Sequence, residues 1–380
     1  MNIVFIGGGN GQSNILKGVR EVFPEDINVT SIVSMSDDGR TTGVLMNLYN
    51  TTFGTHLPPP GDLRRCLFSL SFSRYKEEFS RYMEYEIQDE IYINDLTVLD
   101  LFALVTPENL EFLSFIQNKV NKEILDFKLA IPASAKGHKM GNLLMANLYH
   151  NFGNYDKMIE FMEFLLEVKG QVIPVTTCKA YIKAKLIDGT VIEKQDNISN
   201  VADYNSPIQN LELMSCSKEA KPSEKVTEAI KNADFIVVGP GDIYTSVVAN
   251  LIIGDIRYDL RNSSAKLIYI GNNTNKGGET NGLRVLDFIN IIERYLSKKL
   301  DYIIVNNYLP NLSSEQQEKL SKDISVKGGD YVFLDEFDKY LIESKNTKII
   351  EDNFIDMESL YKHNNIKIAE TLLNIMNNNQ

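Results

Sequence analysis

Short apolar runs alternate with helix-spaced stretches along most of this chain. Ile3-Val4-Phe5-Ile6 reads as a buried strand. Gln12 to Val22 then places Ile15, Leu16, Val19 and Val22 on one face of a helix. Val29 to Met35 is a second apolar strand, so these first elements form a βαβ unit, which calls for a parallel sheet. Further strands are predicted at Gln171–Cys178, Phe235–Val238, Leu267–Ile270 and Tyr302–Val305, the last closing the parallel set. Pro174 suits an edge position or a strand end. Asp188-Gly189 between Ala180–Ile187 and Thr190–Glu193 is a hairpin signal, and Ile208–Leu213 is another strand.

Helical spacing covers most of 74–126, then Gly141–Tyr149, Tyr155–Val168, Lys225–Asn232 and a long run after Gly282 to Ser297. Beyond Asn306 the chain turns polar, with short strands expected at Tyr331–Leu334 and Ile349-Ile350 and a helix at Ile366–Met376. The expected class is α/β: a Rossmann-like, doubly wound, mainly parallel sheet. Residues 1–310 would hold the nucleotide-binding fold with a helical insertion at 73–130, and residues 311–380 a C-terminal α/β extension of the same fold.

The chain has 380 residues, enough for one large domain or two ordinary ones. A net charge of −12 argues against a general nucleic-acid binder, because a phosphate backbone demands a basic surface. A small phosphorylated ligand needs only local donors and is not excluded. Cys66, Cys178 and Cys216 show no metal spacing and read as reduced thiols. No segment approaches about 18 uninterrupted apolar residues, so no membrane insertion is expected. No basic n-region precedes the apolar start, and a cytoplasmic location is expected.

Chemistry first appears where strand one ends. Gly7-Gly8-Gly9-Asn10-Gly11 joins that strand to the helix. Such a turn aims backbone N–H groups and a helix N-terminus at an anion, usually a phosphate. It is neither the G-x-G-x-x-G fingerprint nor a Walker A loop, and the plain alternative is a packing turn. Other loops are equally unusual: Ser36-Asp37-Asp38-Gly39-Arg40-Thr41-Thr42-Gly43, Pro60-Gly61-Asp62-Leu63-Arg64, Gly137-His138-Lys139-Met140-Gly141-Asn142, and Gly239-Pro240-Gly241-Asp242-Ile243-Tyr244-Thr245-Ser246. Ligands of open parallel sheets bind outside the carboxyl ends of the strands, where three of these loops fall.

Together with Asn250-Leu251 and Gly278-Glu279-Thr280-x-Gly282, these motifs carry a resemblance. The chain resembles the family that joins the YvcK-type gluconeogenesis factors, which bind UDP-sugars, to CofD, the phospholactate transferase of deazaflavin coenzyme synthesis. The likeness runs from residue 1 to about residue 310, and weakly to Tyr361-Lys362-His363. Asp-Asp-Gly and Pro-Gly-Asp-x-Arg look more like the YvcK branch. The chain departs from that pattern at Asn10 (Thr), Gln12 (Leu), Arg40-Thr41-Thr42 (Gly-Ser-Ser), Asp242 (Ser), Leu283 (Tyr) and Phe288 (His). Leu283 cannot stack on a nucleobase as a ring would.

The resemblance implies a UDP-N-acetylglucosamine-type ligand and a cytoplasmic regulator of carbon metabolism and cell morphogenesis. Gly8, Gly9, Asn10, Gly11 and Gln12 would hold phosphate, with Asp62, Arg64, His138, Asn142, Gly239, Gly241, Tyr244, Thr245, Glu279 and Thr280 as further ligand contacts. Asp37 and Asp38 are candidate Mg²⁺ ligands, since magnesium takes carboxylates together with substrate oxygens. Their bland alternative is turn capping; for Asp62 and Arg64 it is a local ion pair. No other cofactor is expected. The absence of an evident nucleophile–base pair favours a non-catalytic regulator. The alternative is a Mg²⁺-dependent transferase moving a 2-phospholactyl-type group from a guanosine nucleotide, with Asp37 and Asp38 in the chemistry. A homo-oligomer, simplest as a dimer, and regulatory protein partners complete the expectation.

Overall fold

Ten strands form two sheets in the computed structural model, which describes residues 1–88, 96–129, 136–178, 180–199, 206–217, 219–308, 311, 313–316, 318 and 330–379. The strands are β1 (Asn2–Gly7), β2 (Asn28–Val33), β3 (Gln171–Pro174), β4 (Ile182–Leu186), β5 (Val191–Glu193), β6 (Ile208–Leu213), β7 (Phe235–Val238), β8 (Lys266–Ile270), β9 (Tyr302–Asn306) and β10 (Lys348–Asp352). Seven of them make one sheet in the order β10-β9-β8-β7-β1-β2-β3. The pairs β1–β2, β1–β7, β7–β8, β8–β9 and β9–β10 all run parallel. Helices flank this α/β, Rossmann-like sheet, as the apolar runs predict.

The expectation that Tyr302–Val305 closes the sheet needs correction: Lys348 to Asp352 pairs outside it, from Lys348 opposite Tyr302 to Asp352 opposite Asn306. A half-polar edge strand lacks the continuous apolar signature of the buried ones. Tyr331 to Leu334 is also not a strand; Tyr331 makes only a single bridge to Thr274. The other three strands form an antiparallel sheet, β5-β4-β6, where Gly189 takes φ 90° in the predicted Asp188-Gly189 turn.

By contacts the chain separates into two compact units: Met1–Ser36 with Ile173–Gln380, and Asp37–Val172. The first holds the core of the large sheet. Ile3, Phe5, Ile6, Ile236, Val237 and Ile268 are fully buried there, each contributing about 2 kcal/mol of apolar burial. Helix α1 (Gly9–Val22) packs closely on helix Asn365–Asn377 at Gly18, where a Cβ would stand 2.1 Å from the Asn365 carbonyl oxygen. The second unit is helical, with α2 (Arg40–Phe53), α3 (Gly61–Ser69) and α4 (Lys76–Glu84) leading. The stretch read as a helical insertion lies within it. Its core is aromatic: Tyr82 stacks on Phe102 at 4.3 Å, and Phe79 meets Phe112 edge-on at 5.1 Å.

In the first unit, β1 leads on to β2, while β7, its neighbour on the other side, leads on to β8, β9 and β10. The crevice between the carboxyl ends of β1 and β7 is therefore the switch point at which an open sheet of this kind receives its ligand.

Candidate functional site

Both glycine turns meet at that switch point. Gly9 takes φ 64°, and helix α1 starts there with no acidic residue in its first turn. Gly11 lies against the second turn: a Cβ on it would stand 2.6 Å from the Pro240 carbonyl oxygen. Gly241 in turn faces the Gly8 carbonyl, 3.4 Å from where its own Cβ would be. Small residues are needed on both sides because two backbones pass each other here.

Side-chain amides hold the turns in place. Asn250 Nδ2 donates to the Gly7 and Ser246 carbonyls at 2.9 and 2.8 Å. Asn272 Nδ2 donates to the Gly241 carbonyl at 2.8 Å, and Tyr269 OH donates to Asn272 Oδ1 at 3.0 Å. Asn14 Nδ2 donates to the His363 carbonyl at 2.8 Å, while His363 Nε2 lies 2.9 Å from the Gly271 carbonyl. Burial pushes the His363 imidazole down to about 4, so it is neutral at pH 7 and Nε2–H donates. His363 thus braces the loop after β8.

The two turns differ in what their helix termini face. Tyr244 and Thr245 N–H donate to Glu279 Oε1 at 3.0 and 3.1 Å, so this chain's own carboxylate sits at the amides after Gly241. Glu279 is fully buried and 3.1 Å from Lys276 Nζ, which also bonds Asp242 at 2.5 Å. Burial works against the Lys276 charge, yet Glu279 and Asp242 outweigh it and push its pKa up. Burial pushes the Glu279 carboxyl up as well, against the pull of Lys276. One lysine thus serves two carboxylates at this turn. The second glycine turn is an internally filled cradle rather than an open one.

Several predicted contacts turn inward for the same kind of reason. Gln12 is completely buried, and its Nε2 donates to Ser31 Oγ at 3.0 Å and to the Phe5 and Ile32 carbonyls at 3.3 Å each. It ties β1 to β2 beneath the turn. Tyr244 OH donates to the Ile208 carbonyl at 3.1 Å. Thr245 Oγ1 faces Glu279, and Thr280 Oγ1 accepts from Lys276 N–H at 2.8 Å. Gly8, Gly9, Asn10 and Gly11 stay at the mouth of the crevice, with Asn10 exposed.

The second unit gathers the remaining predicted residues. Gly39 N–H donates to Asp37 Oδ1 at 3.2 Å, just before α2 begins. Burial and the neighbouring Asp62 carboxylate push the Asp37 carboxyl up to about 6. Asp62 pairs with Arg65 one turn along α3. The ion pair expected between Asp62 and Arg64 is therefore replaced by two others. Arg64 Nη1 donates to the Met83 carbonyl and to Glu84 Oε1, both at 2.6 Å, and its stem passes where a Cβ on Gly141 would stand 2.6 Å from Arg64 Cδ. His138 Nδ1 and Asn142 Oδ1 are buried without a hydrogen-bond partner among the described residues. Burial lowers the His138 pKa, keeping it neutral.

Among the described residues no group of three or more His, Cys, Asp or Glu surrounds a point suited to a metal. The carboxylate whose field most raises Asp37 is Asp62. Reasoning from the motifs missed Arg65, Asn272, Lys276 and His363. Arg65 and Lys276 each had a signal, the i,i+3 spacing from Asp62 and to Glu279; Asn272 and His363 reach Gly241 and Gly271 through long-range contacts that no local pattern announces.

A family model described as 2-phospho-L-lactate transferase CofD matches residues 3–355. The chain belongs to the CofD family. The gluconeogenesis factor of Halalkalibacterium halodurans is 28% identical over 374 residues, covering 98% of this chain and 95% of that protein. The gluconeogenesis factor of Listeria monocytogenes is 26% identical over 382 residues, covering 99% and 96%. A solved structure of a UPF0052-family protein from Bacillus halodurans superposes with a TM-score of 0.74 at 26% identity, over 98% of each chain. Within the CofD family this chain thus lies with the gluconeogenesis factors along its length, as Asp37-Asp38-Gly39 and Pro60-Gly61-Asp62-x-Arg64 imply. No helix among the described residues is long and apolar enough to cross a membrane.

Proposed function

We propose that this protein is a nucleotide-sugar-binding regulator of the gluconeogenesis-factor type, without catalytic turnover. The observation that carries this reading is the Gly7–Gly11 turn at the switch point, which leads into an α1 terminus with no acidic first-turn residue. A diphosphate there would accept from first-turn amides, and Asn10 would add a side-chain donor. The ligand class is a UDP-sugar of the N-acetylglucosamine type. Leu283 offers no ring for the base, so affinity rests chiefly on the phosphates and sugar. The protein acts in the cytoplasm on carbon metabolism and cell morphogenesis, as a homodimer with regulatory protein partners.

Calorimetric titration tests this directly. UDP-N-acetylglucosamine should bind without Mg²⁺ and be recovered unchanged. Retention of full affinity in Gly9→Val, whose fold is checked by circular dichroism, would remove the phosphate from this turn.

One observation favours a second reading. Asp37, raised by burial and by Asp62, is the kind of carboxylate a magnesium ion would draw into its ionised form. On this reading the protein is a transferase that moves a 2-phospholactyl-type group from a guanosine nucleotide. Magnesium-dependent binding of GDP or GTP, with turnover lost in Asp37→Asn, would establish it over the first.

A further inference from the structure

A cavity of about 450 Å³ lies in the first unit, lined by none of the glycine-turn residues and within the size range of small-molecule pockets. Lys185 of β4 lines it, together with Arg257 on helix Ile256–Asn262 and Arg294 on helix Val285–Leu296. None of these three cations makes an ion pair with a carboxylate among the described residues. In a chain of net charge −12 with many paired lysines, three unneutralised cations around one cavity need a reason.

Both guanidiniums are held by uncharged partners. Arg257 Nη2 donates to Ser297 Oγ at 3.1 Å. Arg294 lies over the Tyr295 ring, 4.8 Å from its centre. Tyr295 is itself fixed: its OH donates to Asn210 Oδ1 at 2.8 Å and accepts from Leu211 N–H at 2.7 Å. The one acidic lining residue, Glu212, is turned to Lys183 at 3.4 Å and accepts from Asn210 Nδ2 at 3.0 Å. The charges are therefore positioned but left available.

We propose that this cavity binds a small organic phosphate monoester. Two planar guanidiniums and an ammonium suit a dianionic phosphate, since guanidinium forks match its oxygens. Three cations gathered at one small open pocket, rather than along a basic stripe, favour a small molecule over a nucleic acid or an acidic peptide. Asn210 offers a polar group for the organic portion.

Phenylglyoxal modification followed by peptide mass mapping reads the two arginines separately, in the full chain. Glycerol 2-phosphate should slow modification of Arg257 and Arg294 about tenfold relative to sodium chloride of equal ionic strength, a change worth about 1.4 kcal/mol. Equal rates in the two solutions overturn the proposal. Protection by inorganic phosphate alone assigns a bare ion and overturns the ester. R257A/R294A, two exposed positions, should lose calorimetric binding of glycerol 2-phosphate about tenfold; unchanged affinity also overturns it. The readout is confined to these arginines, so it does not depend on what the α1 turn binds.

Discussion

The turn after β1 and the turn after β7 share glycines, a following helix and a place at the same crevice, yet they serve opposite ends. Gly7–Gly11 leads into amides with no acidic residue in the first turn. Gly239–Ser246 leads into amides that already bond Glu279. A glycine-rich strand–turn–helix motif identifies a terminus able to take a negative charge. It does not say whether the charge comes from a ligand or from the chain itself. On the proposed function one turn would receive a ligand, while its neighbour is already held by the chain's own carboxylate.

Glu279→Ala breaks this difference most severely. It leaves Lys276 with Asp242 as its remaining carboxylate and empties the second cradle, and should cost about 3 kcal/mol by urea unfolding. Added acetate should recover part of that loss, as it does not for the wild-type chain. Without recovery, the carboxylate is not acting as an internal anion.

Acid should loosen the wall both turns share. His363 has its folded pKa lowered to about 4, below the ordinary value near 6.5. The unfolded chain takes up the proton first, so stability is full above about pH 6.5 and falls as pH drops toward 4, by about 3 kcal/mol across that window. His363→Gln, which acquires no charge, should flatten that part of the profile in urea titrations at stepped pH. An unaltered slope would place the acid sensitivity elsewhere.

Gly11→Ala tests whether the turns must touch. Its Cβ would meet Pro240 backbone, so overpacking should cost about 2 kcal/mol in thermal unfolding and weaken UDP-sugar binding as well. Gly9→Ala sharpens the comparison with the smallest effect. Space is available near Ser246 Oγ at 3.5 Å, but φ is positive, so the expected cost is about 1 kcal/mol. A ligand affinity reduced by more than the stability loss would set this turn apart as the receiving one.

The sheet was largely legible in the apolar runs, because a parallel strand covered on both faces is apolar throughout. β10 showed only as a short strand at Ile349-Ile350, and its place outside Tyr302–Asn306 was not legible, since Lys348-Ile349-Ile350-Glu351-Asp352 carries only two apolar residues and joins through a long-range pairing. The glycine turns after β1 and β7 were legible too, and the structure brings them against each other. The division of labour between them was not. Glu279 reaches Tyr244 and Thr245 across more than thirty residues, and Gln12, Tyr244 and Arg64 look like ligand contacts until their buried partners are seen. Local spacing reports which groups stand near a strand end; tertiary contact decides which way each one faces.

Gly18 has a consequence for how the chain is made. Its close fit to Asn365 seats α1 against helix Asn365–Asn377, and β1 lies between β2 and the far later β7. During synthesis on a ribosome, the first glycine turn emerges early but lacks its sheet neighbour, its amide braces and its helical cover until most of the chain has followed. β1 and α1 thus acquire their finished surroundings only after β7 and helix Asn365–Asn377 have been made.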